Sequence, residues 1–198
     1  MPSVVDICNE AIDLLGAATI TSLTENSKEA RLCNRRFETV RDQVLRSHPW
    51  NTAIVRKALA QDSAAPAFGF TYQYTLPTNP YCLRVLSFWN ANVNNDIAAY
   101  DSQNMFKIEG RKVLTDESTC KIIYVGRITD TEQYDSLLSS TIAHKLASEI
   151  AYSITGSNSI AQQMFQLYQA RLAEARSMDA SEGMPDKIIA DTFINSRF

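Results

Sequence analysis

The residues of this chain with types suited to chemistry are two histidines, four cysteines and 22 carboxylates. His48 stands directly before Pro49, and His144 lies among Ile142, Lys145 and Glu149. Neither belongs to an H-E-x-x-H pattern, so both are expected to be hydrogen-bonded structural histidines. Cys8, Cys33, Cys82 and Cys120 are 25, 49 and 38 residues apart and form no C-x-x-C pair. That spacing argues against zinc and for reduced, buried thiols in a cytosolic compartment. The sequence holds no phosphate-cradling glycine loop, dinucleotide turn or nucleophile elbow, and Thr155-Gly156-Ser157 lacks catalytic partners. Carboxylate pairs such as Glu25 with Glu29, or Glu109 with Asp116, could share acid–base work only if the fold brought them into one cleft. Trp50, Trp89, Tyr72 and Tyr74 could stack on bases or sugars, or fill a β core. The residues therefore point to no enzyme, no cofactor and no metal.

The whole-chain balance narrows the partners. With 198 residues the chain is long enough to bury a core without staples. Its formal charge of −3 and pI near 5.4 argue against a protein built to grip phosphate backbones, though not against one that surrounds DNA without holding it. No apolar run is long enough to span a bilayer, so no membrane partner is expected. Asp6 and Glu10 fall where a signal peptide needs an apolar core, so export by that route is not expected.

The elements that must carry these residues follow from periodicity. Ser3 can start a helix holding Val4, Ile7, Cys8, Ala11, Leu14 and Leu15 on one side, with Gly16 closing it. Residues 17–26 read as a loop. A second helix is predicted from Asn26 or Ser27 to about Arg46, with a seam of Ala30, Cys33, Phe37, Val40 and Val44. Its other faces carry Lys28, Arg31, Arg35, Arg36, Arg41 and Arg46 against Glu29, Glu38 and Asp42. A solvated face is the default explanation. The alternative is that Arg31, Arg35, Arg36 and Arg41 form a basic face that meets an acidic neighbouring subunit.

His48-Pro49-Trp50-Asn51 breaks this helix. Phe68 to Pro77 alternates with period two and reads as a half-buried strand. Leu83, Val85 and Phe88 suggest another strand after the turn at Pro77-Thr78-Asn79-Pro80. Met105 to Leu114 reads as a hairpin around Glu109-Gly110-Arg111, and Lys121–Val125 as a central strand. Helical periodicity returns with Leu138, Ile142, Leu146, Ile150 and Ile154, beside Ala143, Ala147 and Ala151. After Gly156, Asn158 or Ser159 is placed to cap a last helix bearing Ile160, Met164, Phe165, Leu167, Tyr168 and Leu172 and fading near Met178. The fold class is α+β: a helical bundle formed by 1–49 and 129–181, with an antiparallel β-rich module inserted at 50–128.

Residues 182–198 form a tail after Gly183 and Pro185. Ile188, Ile189, Phe193, Ile194 and Phe198 crowd its last eleven positions, an apolar density foreign to a solvated terminus. Their burial alone does not offset the entropy of ordering the segment, so it needs a surface. That surface is either its own bundle or a neighbouring molecule.

Taken in order, several stretches resemble a known family, the podoviral tail tubular protein A, the head-to-tail adaptor of short-tailed phages. They are Ile12-Asp-Leu-Leu-Gly16, Ile20-Thr-Ser-Leu23, then Ala30, Cys33 and Phe37, and above all Val40 to Asn51 with Ala53. Leu59-Ala60, Ala65-Pro66, Phe68 to Tyr72, Tyr74 to Pro77 and Cys82-Leu-Arg-Val85 continue the series. The resemblance implies a ring, typically of twelve copies, that binds the portal protein above and the tail nozzle below and touches tail fibres. DNA would pass through its lumen without specific binding. It implies a virion protein located in the tail at the portal vertex, made in the host cytoplasm. Ile188, Ile189, Phe193, Ile194, Arg197 and Phe198 take the place of the segment that docks on the portal or a neighbouring subunit. Cell-wall hydrolysis, credited to some related adaptors, is not carried over, because no hydrolase motif is present. Two rival classes remain: a tail hydrolase working through carboxylates, and a monomeric carbohydrate- or DNA-binding module.

Overall fold

The computed structural model describes residues 2–89 and 106–182. They contain helices and two small antiparallel sheets, an α+β chain. The chain divides into a helical unit, Met1–Ile54 with Arg127–Glu182, and a second unit, Val55–Gly126.

The helical unit holds α1 (Val4–Asp13), α2 (Lys28–Ser47), α3 (Ser136–Thr155) and α4 (Asn158–Ser181). Each start has a chemical cause. Ser3 and Asp6 form a reciprocal capping box on α1, while Ser27, Asp135 and Ser157 accept from the first-turn amides of α2, α3 and α4. The cap of α4 is thus Ser157, one residue before the two positions expected, because it directly follows the left-handed Gly156 (φ 71) that ends α3. Regular α1 stops at Asp13, earlier than expected, and the chain leaves the following turn through Gly16 (φ 67).

Helix α3 is the hub, packing against α1, α2 and α4. Leu138, Ile142, Leu146 and Ile150 are buried, and so are Ala143, Ala147 and Ala151, whose small side chains permit close helix approach. Its buried hydroxyls stay satisfied, Ser139 donating to the Asp135 carbonyl and Thr141 to the Leu137 carbonyl. All five seam residues of α2 are buried. On α4 the buried stripe is narrower than expected. Met164 and Tyr168 are inside with Ala175 and Asp179, but Phe165 and Leu167 are 44% and 42% exposed. A helix that packs mainly on one neighbour covers only a thin strip of itself.

The second unit is built from β1 (Ile54–Leu59), β2 (Tyr72–Thr75), β3 (Cys82–Trp89), β4 (Phe106–Glu109), β5 (Lys112–Thr115) and β6 (Cys120–Gly126). One sheet has the order β1-β6-β3 and the other β2-β5-β4. Strand β6 is central, as its apolar run predicts. The β4–β5 hairpin pairs Glu109 with Lys112 across Gly110 (φ 59) and Arg111. The strand expected over residues 68–77 is only Tyr72–Thr75. Gly69 (φ 86) takes the chain out of extended geometry, and Phe68 projects into solvent. Side chains from both sheets share one core, with Tyr74, Val113, Ile122 and Tyr124 at its centre. Arg111 donates to the carbonyls of Pro77 and Cys82 and lies over the Tyr81 ring at 3.9 Å, tying down the Pro77–Cys82 turn.

Candidate functional site

His48-Pro49-Trp50-Asn51, the last four residues of the Val40–Asn51 stretch that carries most of the sequence resemblance, form a corner at the end of α2. The extended backbone of His48 ends the helix, as a residue before proline should. Trp50 turns inward, is completely buried, and donates its indole N–H to the Val44 carbonyl at 3.0 Å. That carbonyl is one of the four that the helix end leaves unpaired. The His48 and Trp50 rings meet edge to face, centroids 4.8 Å apart.

Asp179, in the last turn of α4, closes the corner. One carboxylate oxygen lies 3.0 Å from His48 Nε2, and the other accepts the Asn51 backbone N–H at 3.0 Å. The Asn51 side-chain amide donates to the Asp179 carbonyl at 2.7 Å. Arg176, one turn earlier, donates to the Ser47 carbonyl, while its buried Nε has no partner among the described residues. Asp179 is only 6% exposed, so its charge is held by donors instead of water. Asp179 belongs to no motif of the sequence. The available signal was its register with Ala175, Tyr168 and Met164 on the buried stripe: a carboxylate at such a place requires a partner.

The other candidates take structural positions. His144 Nδ1 lies against the Ser140 carbonyl, 2.8 Å away. All four cysteines are buried, and none of them forms a disulfide. Hydrogen bonding to Cys33 and burial push the Cys8 thiol up, and burial pushes Cys120 to about 12. Glu25 accepts from the Thr21 amide and hydroxyl, which hold its carboxyl below the ordinary range. Asp116 likewise accepts from the Thr71 amide and hydroxyl. Tyr74 is buried, its hydroxyl donating to the Glu117 carbonyl, and Tyr72 packs beside the same core. Among the described residues, no group of three or more His, Cys, Asp or Glu could hold a metal, and no helix is long and apolar enough to cross a membrane.

Of the basic face proposed on α2, Arg31, Arg35 and Arg36 are exposed, but Arg41 is not. It is 6% exposed and paired with Asp42, which also holds Arg127. Arg41 follows Phe37 by four positions and precedes Val44 by three, which puts it on the buried seam. The exposed part of that face is therefore Arg31, Arg35 and Arg36. The tail residues Ile188, Ile189, Phe193, Ile194, Arg197 and Phe198 lie outside the described residues. Compared with known protein families and with curated proteins, the chain matches none.

Proposed function

We propose that this chain is a structural head-to-tail adaptor of a short-tailed phage, similar to tail tubular protein A. It would form a ring, probed first as a dodecamer, that joins the portal protein to the tail nozzle and continues the DNA channel. Tail fibres would be a further partner. Its place would be the virion tail at the portal vertex, after assembly in the host cytoplasm. The observation that carries the reading is the corner built from His48, Trp50 and Asn51. The end of the stretch that most resembles the family, His48 to Asn51, is spent on internal bonds to Val44 and Asp179, the use expected of a scaffold. The exposed arginines of α2 and the α+β architecture agree with it.

The direct test mixes the chain with the portal protein of its phage and sediments the product. A portal-sized complex carrying a ring's worth of this chain supports the reading, and free chain beside free portal refutes it. A carbohydrate-binding module is the second reading. It is favoured by one feature, Phe68, which is 88% exposed beside a groove containing Gln73, Lys107 and Glu109. Loss of glycan-array binding in Phe68→Ala would support that reading.

A further inference from the structure

The first 27 residues contain four carboxylates and no Lys or Arg, whereas α2 carries six basic and three acidic residues. On α1, Asp6, Glu10 and Asp13 lie at i, i+4 and i+7, a spacing that aligns them on one helix face. Asp6 and Asp13 are exposed and Glu10 is half-buried. On α2, Lys28, Arg31 and Arg35 lie at i, i+3 and i+7, and all three are exposed. Read in opposite directions the two spacings are identical, and each stripe is about 10 Å long.

We propose that the basic stripe of α2 docks antiparallel on the acidic stripe of α1 of a second copy of this chain. Asp13 meets Lys28, Glu10 meets Arg31 and Asp6 meets Arg35. This rests on the ring reading and names its subunit contact. The groups are available within one chain. Lys28, Arg35 and Asp13 have no partner among the described residues. Arg31 uses one terminal nitrogen on Asn26, Glu10 uses one oxygen on Ser140, and Asp6 uses one oxygen on Ser3. Like stripes repel, so α1 against α1 and α2 against α2 are disfavoured, which leaves the unlike pairing. A contact between two different patches propagates from copy to copy and closes where the rotation allows, the geometry of a ring. Exposed ion pairs are individually weak, so this contact sets register and partner and must weaken with salt.

Charge exchange tests it with residues whose side chains make no hydrogen bond or ion pair among the described residues. Sedimentation velocity is run up to millimolar chain in about 50 mM salt, where charges are screened over little more than ~10 Å. The wild type is expected to self-associate with concentration and to lose this in molar salt. Lys28→Glu and Asp13→Lys are each expected to weaken association severalfold, and their equimolar mixture to recover it. Carbodiimide treatment of the wild type should link Lys28 of one copy to Asp13 of another. A wild type that stays monomeric throughout, or variants that associate as the wild type does, overturns the pairing. Portal binding by those same samples would leave the ring reading standing. Self-association through this pair without portal binding would sink the ring reading instead.

Discussion

The carboxylate of Asp179 stands 3.0 Å from His48 Nε2, although 131 residues separate them in sequence. Through this pair and the two Asn51 bonds, the end of α4 is fastened to the end of α2, and the first and last described helical segments become one folding unit.

Asp179→Ala leaves the Asn51 N–H and His48 without their acceptor in a buried place. It should destabilise the helical unit by about 2–4 kcal/mol. Asp179→Asn keeps an oxygen for Asn51 and should cost about half as much. Urea unfolding followed by far-ultraviolet circular dichroism checks both, and a change within error for Asp179→Ala would remove the corner from the account.

Trp50→Phe keeps an aromatic ring but loses the bond to the Val44 carbonyl and part of the packing. It is expected to cost about 2–3 kcal/mol, and Trp50→Ala about 3–5 kcal/mol. If Trp50 served as a stacking platform for a ligand, both variants would melt like the wild type, which equilibrium denaturation would reveal.

The four thiols are buried, with Cys120 held at about 12 and Cys8 also pushed up. Native protein at pH 8 should therefore react with Ellman's reagent far more slowly than protein in guanidinium, which should release close to four thiols per chain. Fast reaction of even one native thiol would contradict the packing.

The acid side of the stability profile follows from three carboxyls. Asp62 is held below its ordinary 3.8 by Lys112 and Thr75, Asp6 below 3.8 by Ser3, and Glu25 below 4.5 by Thr21. A lowered folded value means the unfolded chain binds more protons in acid. Their contribution is thus complete above the ordinary values and is lost as pH falls through them toward the lowered ones. Thermal melts from pH 7 to pH 3 should be level down to about pH 5 for these groups and then decline. The decline should be shallower in Asp62→Asn, and an equal decline in that variant would show that the Lys112 pair contributes nothing.

Much of this was legible because local chemistry and periodicity agree. The seam of α2, the hub stripe of α3, the β4–β5 hairpin and the central β6 all follow from spacing and turn residues. Where reading failed, the cause is long-range or disguised. Strand β1 has consecutive exposed residues Arg56, Lys57 and Ala58, which fall on both of its faces, so its period of two is lost. Asn9 bonds both backbone groups of Ile20, an anchor that no local pattern announces. Arg41 lies on the seam by register, although its charge alone suggests a solvated face. Asp179 was hidden because its partners lie at the far end of the helical sequence.

The most direct test of the adaptor proposal is electron cryomicroscopy of the chain mixed with its phage's portal protein, with and without residues 186–198. A ring of this chain beneath the portal is expected for the intact protein. For the truncated chain no ring is expected, while the bundle still melts cooperatively. A portal left bare by the intact chain would contradict it.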